Sequence, residues 1–528
     1  MRLLLVFLII SCSLFVKSQR PCVQKVYPGA HTNIVCVCNS TYCDDFPPLG
    51  TLGSNDVAVY TSSESGNRFR KTVIQFSTTP NSPKDTITFK LDASQQFQQI
   101  LGFGGAFTDA AGINLNRISK ATRDTILKQY FSKDEGIGYT IGRVPMASCD
   151  FSTHEYSYDD VQGDLALSNF NLTEEDLTLK IPNILQASSL TSPNEGLKLF
   201  STPWSAPGWM KTNDDMKGGA ALKGDVNGPY YVTWANYFVR FFEEYAKRGV
   251  QFWGLTIQNE PSSGLLPDYG WQTMLMTADM EQKFLAQLLG PALKNNSVTK
   301  NIKIMIHDDQ RAGIKEYVDT VLLNPDAAKY VDGVAYHWYD DFFIPASVLS
   351  EVHNSHPDVF MLPTEACTGS RPIMRGVSMG DWSRGAQYAH SIIEDIQNYA
   401  AGWTDWNLCL NEGGGPNWVM NVVDSPIIVS NTSDIFYKQP MFYAIGHFSK
   451  FVRPGSYKIK LVDSDGNQPT TPIEAVAFST PSNQKVVVLN NRLDESHTVN
   501  IQDTSRPGQS ITINLAGQSI VTLVWNKI

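Results

Sequence analysis

LKLFSTPW at 197–204 and QFWGLTIQNE at 251–260 are short apolar runs that end in polar or aromatic residues. Between them, Gly228-Pro229 opens a segment with helical spacing and Gly249 ends it. The apolar face of this segment consists of aromatic residues: Trp234, Phe238, Phe241, Phe242 and Tyr245. A buried strand, a helix and a second buried strand form the repeating unit of a parallel α/β sheet.

The same pattern occurs eight times between about residues 100 and 407. The other six runs are QILGFGGAFTD (99–109), YTIGRVPMA (139–147), IKIMIHDD (302–309), GVAYHWY (333–339), VFMLPTE (359–365) and GWTDWN (402–407). Eight buried strands that alternate with helices predict an α/β fold of the (β/α)8 TIM-barrel type. A doubly wound open sheet is disfavoured, because no G-x-G-x-x-G follows the first strand and because the strands number eight.

Residues 57–91 and 457–525 have a different pattern, in which apolar and polar residues alternate between Pro, Gly and Asn turns. This pattern is typical of antiparallel strands. Because the two stretches flank the barrel in sequence, we expect one antiparallel β-sandwich that is built from both chain ends.

The chain has 528 residues, and 42 Lys and Arg against 52 Asp and Glu give it a net charge of −10. No basic run of five or more residues stands out, so nucleic acid is not an expected partner. Arg2 precedes the apolar stretch Leu3–Val16, which predicts a secretory signal peptide over 1–18. No later run reaches about 18 apolar residues, so no membrane span is expected in the mature chain.

Four of the eight cysteines lie near the start of the mature chain: Cys22, Cys36, Cys38 and Cys43. In a secreted protein this cluster predicts two disulfides in a small N-terminal region. A zinc site is the alternative, disfavoured because no histidine lies at metal-ligand spacing. Three other cysteines are expected to be buried thiols: Cys149, Cys367 and Cys409. Four sequons are candidate glycosylation sites: Asn39, Asn171, Asn295 and Asn431.

Catalytic groups of barrel enzymes lie at the carboxyl ends of the strands. In this chain these ends carry aromatic, amide and charged residues: Asp109, Arg143, Trp204, Asn259, Glu260, Asp308, Asp309, His337, Trp338, Tyr339, Glu365, Trp406 and Asn407. Such a mixture indicates a sugar site, because aromatic rings cover the apolar face of a pyranose while amides and carboxylates bind its hydroxyl groups. No metal or cofactor is expected.

Glu260 and Glu365 end the fourth and seventh strands, on opposite sides of the barrel mouth. Acetal hydrolysis needs one carboxylic acid to protonate the leaving oxygen and one carboxylate to meet the anomeric carbon. If the two face each other at about 5–5.5 Å, the reaction retains configuration through a covalent intermediate. Taken singly, such residues have structural alternatives, since a glutamate can be an ion-pair partner and Asp109 can cap a helix. Their shared position at eight strand ends favours the catalytic interpretation.

Long motifs follow one another from RPC at 20–22 to the last strand. They are FGGAFTDAA (103–111), GIGYTIGRVPMASCDFS (136–152), PWSAPGWMKTN (203–213), NEPSSGLL (259–266), DDQR (308–311), HWY (337–339), TEACTGS (364–370), GWTDWNL (402–408), GGPNWVMNVVDSPII (414–428) and FYKQPMFYAIGHFSKF (436–451). In these motifs the chain resembles the lysosomal glucosylceramidases (acid β-glucosidases) of glycoside hydrolase family 30.

The resemblance implies a role for each residue that matches a family position. Glu260 would be the acid/base and Glu365 the nucleophile. Glucose would be bound by Asp109, Trp204, Asn259, Trp406 and Asn421. Arg143, His337 and Tyr339 would orient the nucleophile. The disulfides would be Cys22–Cys36 and Cys38–Cys43.

The resemblance also implies a retaining exo-β-glucosidase that hydrolyses glucosylceramide to glucose and ceramide. Another aglycone such as a steryl glucoside, an endo-glycanase activity, and a catalytically inactive binding protein are the alternatives. Expected partners are an anionic lipid membrane, a saposin-type activator and a lysosomal receptor. The expected location is the lysosome, with secretion as the alternative. Leu265–Pro267 and Phe342–Ile344 are candidate membrane-contacting residues.

Two loops depart from the family pattern. SRPIMRG (370–376) has Pro372 and Ile373 where the human member carries a Phe-Trp pair, and CLNEGGGPNW (409–418) differs in its first half. The expected domains are a sandwich over 50–95 and 456–528 and a catalytic barrel over 96–406 and 440–455. A small disulfide-bearing, three-stranded sheet is expected over 19–49 and 407–439.

Overall fold

The computed structural model describes residues 19–29, 32–78 and 85–528. The predicted signal peptide over 1–18 lies outside these residues. Within the described ranges, none of the helices combines the length and the apolar character that a bilayer crossing requires.

Eight parallel strands form the central barrel, and all eight coincide with predicted runs. They are β1 (Gly102–Ala106), β2 (Ile141–Met146), β3 (Lys198–Pro203), β4 (Gly254–Thr256), β5 (Lys303–Gln310), β6 (Gly333–His337), β7 (Phe360–Glu365) and β8 (Gly402–Asn407). From β1 to β7 each strand pairs with the next one in sequence, and β8 pairs with β1. Met361 in β7 bridges to Ala400 just before β8, which closes the barrel. The prediction of a (β/α)8 barrel is confirmed.

The barrel interior is a packed apolar layer that separates the two ends of the barrel. It is formed by inward-facing side chains of five strands: Ile141, Phe200, Met305, Ala335 and Leu362. The carboxyl ends of the strands therefore open onto one face only, which is where barrel enzymes bind substrate.

Helices cover the outside of the barrel. Their bounds are Asp109–Arg117, Lys120–Phe131, Ile181–Leu190, Pro229–Ala246, Ala278–Phe284, Gly290–Lys294, Ile314–Leu322, Pro325–Ala328, Ser347–Ser355, Trp382–Gln397 and Pro440–Ser449. The helix expected after β3 begins at Pro229, and Gly249 follows it with a φ of 84°. That left-handed conformation suits glycine and ends the helix.

Both flanking stretches contribute to the sandwich, as expected. Its strands are Asp56–Ser63, Arg70–Gln75, Ser77–Thr78, Ile87–Gln99, Tyr457–Val462, Glu474–Ser479, Gln484–Asn491, His497–Asp503, Gln509–Leu515 and Ser519–Asn526. The last strand pairs antiparallel with 56–63 on one side and with 484–491 on the other. The two chain ends are therefore joined in one sheet.

The small disulfide-bearing sheet has five strands where three were expected. They are Gln24–Tyr27, Asn33–Asn39, Leu410–Asn411, Ile427–Val429 and Ile435–Lys438. The two shortest strands belong to the loop after β8, and their two or three residues are too few to show an alternating pattern. Both disulfides implied by the resemblance, Cys22–Cys36 and Cys38–Cys43, are formed.

The remaining cysteines and the sequons also have defined surroundings. Cys149, Cys367 and Cys409 are buried free thiols, as expected. Three sequon asparagines are exposed: Asn171, Asn295 and Asn431. Asn39 is half-buried, and its side-chain oxygen accepts hydrogen bonds from the backbone of Thr41 and Tyr42. Glycosylation at all four stays a prediction.

Candidate active site at the barrel mouth

A pocket of about 440 Å³ lies at the carboxyl ends of the barrel strands. Seven of the ten predicted site residues line it: Trp204, Asn259, Glu260, Tyr339, Glu365, Trp406 and Asn421. Arg143 and His337 lie directly below, where they contact the two glutamates. Asp109 is also absent from the pocket lining and contacts neither glutamate.

Glu260 follows β4 in a strained, left-handed conformation with a φ of 42°. Its backbone N–H donates to the carbonyl of Asp308 at 2.9 Å, which holds the turn in place. The Nδ1 atom of His337 lies 3.1 Å from Oε1 of Glu260. Non-glycine residues in this conformation cost of order 1–3 kcal/mol and persist where the surroundings fix them.

Burial raises the pKa of Glu260 above its usual range, because the charged form loses its water. The negative charge of Glu365 adds to this rise, and the contact with His337 opposes it. Glu260 therefore holds its proton to a higher pH than an exposed glutamate, as a general acid must.

Glu365 is the last residue of β7, and two donors hold its carboxylate. The hydroxyl of Tyr339 donates to Oε1 at 2.7 Å, and the guanidinium of Arg143 donates to Oε2. The second guanidinium nitrogen of Arg143 donates to Oδ1 of Asn259 at 2.8 Å. Donors on both oxygens hold the carboxylate in one orientation beside the pocket, as an attacking group requires.

Asp308 is a buried carboxylate that holds Arg143 in place beneath the pocket. It accepts hydrogen bonds from Thr256 at 2.6 Å and Thr364 at 2.5 Å, and it pairs with Arg143 at 3.1 Å. Burial alone would raise the pKa of Asp308, but Arg143 and then His337 hold it well below the usual range. Asp308 was noted at a strand end without an assigned role, because contacts between four strands are not readable from sequence.

His337 contacts the acid/base glutamate and Asp308. Its Nε2 atom lies 3.2 Å from Oδ1 of Asp308. Burial alone would lower the pKa of His337, but the carboxylates around it, with Glu365 the strongest, raise it to about 10. Glu260, His337 and Glu365 are close enough to be metal ligands. The proton that this raised pKa keeps on His337 competes with any metal ion for the ring nitrogens.

The two candidate catalytic carboxylates face each other. One oxygen of Glu260 and one oxygen of Glu365 lie within 4.8 Å of each other. Carboxyl groups of retaining glycosidases are about 5–5.5 Å apart, whereas inverting enzymes leave about 6.5–9.5 Å for a water molecule. The two nearest oxygens of this pair are closer together than the range of the inverting enzymes.

Two stacked tryptophans form an aromatic wall of the pocket. The rings of Trp204 and Trp406 are 5.2 Å apart with 16° between their planes. The guanidinium carbon of Arg143 lies 4.9 Å and 5.2 Å from the two ring centres, so a buried cation fixes both rings. Such a wall suits the apolar face of a sugar ring.

Asp109, which was expected to bind sugar, is only 1% exposed. Its Oδ2 atom accepts hydrogen bonds from Ser152 at 2.5 Å and Tyr156 at 2.8 Å. Lys180 pairs with its Oδ1 atom at 3.3 Å. Asp109 is the first residue of the helix after β1, and these contacts bury it beneath the loop after β2.

Asp150, in the loop after β2, lines the pocket. Its Oδ2 atom accepts hydrogen bonds from Asn421 at 2.9 Å and Asn417 at 3.2 Å. Burial raises the pKa of Asp150 to about 7, and the nearby charge of Glu365 adds to the rise. Its position four residues past the end of β2, inside a matched motif, is the sequence signal that was missed.

Comparisons with known proteins agree with this geometry. Residues 100–452 match the glycosyl hydrolase family 30 TIM-barrel domain, and residues 455–523 match the family 30 β-sandwich domain. The chain is 48% identical to putative glucosylceramidase 4 of Caenorhabditis elegans over 508 residues, which cover 96% of this chain and 95% of that protein. It is 43% identical to the lysosomal acid glucosylceramidase of Mus musculus, over 96% of each chain.

Among solved structures, SrfJ from Salmonella typhimurium superposes with a TM-score of 0.80 at 28% identity. The match covers 90% of this chain and 100% of that structure. Together the two domain models cover the barrel and the C-terminal part of the sandwich, and both relatives match nearly the whole chain. The chain therefore belongs to glycosyl hydrolase family 30.

Proposed function

We propose that the protein is a retaining exo-β-glucosidase that hydrolyses glucosylceramide to glucose and ceramide. The observation that carries the proposal is the pair Glu260 and Glu365, held within 4.8 Å of each other in two different electrostatic environments. Relatives that are named glucosylceramidases support the lipid substrate.

The geometry supports a two-step mechanism. In the first step Glu260 gives its proton to the glycosidic oxygen while the carboxylate of Glu365 attacks the anomeric carbon and ceramide leaves. In the second step Glu260, now ionised, takes a proton from water, which attacks the anomeric carbon and releases Glu365. Bond formation removes the charge of Glu365, so the pKa of Glu260 falls between the steps and suits each role.

Two polar residues of the pocket wall support exo action. Asp150 and Asn421 are hydrogen-bonded to each other there and join the loops after β2 and β8. A terminal glucose suits a wall that joins two loops through buried polar side chains, since its hydroxyl groups need polar partners. An endo-acting enzyme needs an open cleft at this point.

The first experiment is hydrolysis of glucosylceramide in vesicles that contain an anionic phospholipid, at about pH 5. We expect glucose and ceramide to appear in equal amounts. An inert protein, with no release from the lipid or from any aryl β-glucoside, would contradict the enzyme assignment. Cleavage of the aryl glucoside alone would move the substrate to another aglycone.

Exposed apolar side chains surround the pocket mouth. They follow four different barrel strands on the same face: Leu265, Leu266, Phe342, Phe343, Ile373, Met374 and Met420. The guanidinium of Arg371 lies 5.1 Å from the ring centre of Phe342, within this group. Apolar residues mixed with arginine suit the surface of an anionic bilayer, so we propose that this rim contacts the substrate membrane.

Replacing Phe343 and Ile373 together by serine tests the rim. The two side chains are 79% and 98% exposed, so folding should be unaffected. We expect binding to anionic liposomes, measured by flotation, to fall about tenfold because buried apolar area drives such binding. Hydrolysis of a water-soluble aryl β-glucoside should not change.

Leu323→Ser provides the matched control, because Leu323 is 81% exposed and follows the helix 314–322 towards the opposite end of the barrel. Equal liposome binding by the rim variant and this control would refute the membrane-facing rim.

We also propose a lysosomal location, with a saposin-type activator and a membrane receptor as partners; secretion is the alternative. The predicted signal peptide and the mouse lysosomal relative support the location. An acidic compartment also agrees with the buried carboxyl groups of the fold.

The protein is expected to be more stable at about pH 5 than at about pH 8. Burial raises the pKa of Asp150 and Glu281 to about 7 and that of Asp341 to about 9. Because unfolded carboxyls titrate near 4, the folded state binds more protons in this range, and stability is lost as pH rises through the raised pKa values. Burial also lowers the pKa of His447 to about 3, that of Lys211 to about 7 and that of His307 below its usual value, and these groups oppose the trend.

Thermal unfolding between these two pH values measures the effect. Asp341→Asn removes one of the raised groups and should reduce the difference in melting temperature. A melting temperature that is higher at the alkaline end would contradict the expectation.

A further inference from the structure

Gln310, the last residue of β5, connects the surroundings of the two catalytic carboxylates. Its side-chain nitrogen Nε2 donates to Oε1 of Glu260 at 2.8 Å. Its side-chain oxygen accepts from the backbone N–H of Tyr339 at 2.9 Å. A backbone N–H can only donate, so the amide oxygen must face Tyr339 and the NH₂ group must face Glu260.

The two oxygens of Glu260 are held in unequal ways. Oε1 lies within hydrogen-bond distance of two nitrogen donors, Nε2 of Gln310 at 2.8 Å and Nδ1 of His337 at 3.1 Å. Oε2 has only the hydroxyl of Tyr269, at 3.4 Å. An oxygen that already accepts two N–H groups has no room for a proton of its own, so the acidic proton resides on Oε2.

The hydrogen bond between Gln310 and Tyr339 connects Gln310 to the nucleophile, because Tyr339 also contacts Glu365. Tyr339 has its backbone fixed by Gln310 and its hydroxyl 2.7 Å from Oε1 of Glu365. A shift of this backbone would move the hydroxyl away from the carboxylate.

An irregularity in β5 brings Gln310 to this place. The pairing of β5 with β6 shifts between His307 and Asp309, and both His307 and Asp308 have a positive φ. After the shift, Gln310 lies in register with His337. Bulges of this kind redirect side chains at strand ends, and here the two donors reach the same oxygen of Glu260.

We propose that Gln310 is the positioning residue for both carboxylates: it orients Glu260 so that Oε2 delivers the proton, and it fixes Tyr339 against Glu365. The proposal rests on the proposed roles of the two glutamates and deepens them.

Two variants separate the hydrogen bond to Glu260 from the hydrogen bond with Tyr339. Gln310→Glu keeps an acceptor for the N–H of Tyr339, but its ionised side chain cannot donate to Glu260. Gln310→Leu removes both hydrogen bonds. Gln387→Leu is the matched control, because Gln387 lies on the helix 382–397 beside a neighbouring cavity and contacts neither glutamate.

The readout is kcat/KM for two soluble β-glucosides, one with an alkyl leaving group and one with a dinitrophenyl leaving group. The alkyl alcohol needs the proton of Glu260, whereas dinitrophenolate leaves without it. We expect kcat/KM for the alkyl glucoside to fall about 10²-fold in both variants. On the dinitrophenyl glucoside we expect less than about threefold loss for Gln310→Glu and about tenfold loss for Gln310→Leu.

The pH profile adds a readout that a structural role would not change. Activity of Gln310→Glu on the alkyl glucoside should recover in part between about pH 7 and about pH 5, because the introduced carboxyl group gains a proton and can donate again. Gln310→Leu should show no recovery.

The proposal would be overturned if kcat/KM of Gln310→Glu fell equally on both glucosides. It would also be overturned if kcat/KM of Gln310→Leu did not fall on either. If Gln310→Leu does not fold, as judged by thermal unfolding, Gln310→Glu decides alone through its ratio of losses. Failure of the proposed function is recognised separately, since the unmodified protein would then cleave neither glucoside.

Discussion

Glu365→Gln is expected to lower kcat by roughly 10⁴-fold or more on every β-glucoside, because no covalent intermediate can form. The loss corresponds to more than about 5 kcal/mol of transition-state stabilisation. The glutamine is isosteric, and its amide oxygen still accepts from Arg143. Arg143 also keeps its contacts with Asp308 and Asn259, so the buried cation is not left unpaired.

The fold should therefore survive this substitution, and thermal unfolding checks that it does. The melting temperature should stay within a few degrees of the unmodified protein, which corresponds to about 1 kcal/mol. A folded Glu365→Gln variant with unchanged turnover would refute the nucleophile assignment.

Glu260→Gln is expected to produce a second, different defect. On substrates with poor leaving groups, kcat/KM should fall by about 10³-fold, because the leaving oxygen receives no proton. On a dinitrophenyl β-glucoside, kcat/KM should stay near that of the unmodified enzyme, while kcat falls because water is no longer deprotonated in the second step. Steady-state kinetics on the two substrates separates these effects.

Azide provides the decisive addition to this experiment. It is already an anion, so it attacks the glucosyl-enzyme without a general base. We expect azide to raise kcat of Glu260→Gln on the dinitrophenyl glucoside and to yield a β-glucosyl azide. An α-glucosyl azide, or no acceleration, would exclude Glu260 as the acid/base of a retaining mechanism.

The barrel strands were predictable because their signal is local. Each of the eight runs is apolar over a few residues and is followed by a helical stretch, and burial inside the barrel demands that pattern. The glutamates were predictable for the same reason, since Glu365 ends β7 and Glu260 follows β4 by four residues. Position along the strand was enough to bring them together.

The positions of Asp109 and Asp150 relative to the pocket could not be predicted from the residues next to them in sequence. Asp109 is closer in sequence to its strand, yet the loop after β2 covers it. Asp150 reaches the pocket because Ala147 turns that loop with a φ of 65° and because Asn417 and Asn421, some 270 residues away, hold its carboxylate. These contacts leave no local pattern, so the position of Asp150 four residues past the end of β2 was the available sequence signal.

The central claim is that glucose becomes covalently attached to Glu365. A slow-turnover deoxyfluoro-β-glucoside with a dinitrophenyl leaving group tests it directly, with mass spectrometry of the intact protein and of its proteolytic peptides. We predict one fluoroglucosyl group per chain, on the peptide that contains Glu365, and none on Glu365→Gln. An adduct on any other residue, or release of dinitrophenol with no adduct, would contradict the proposed mechanism.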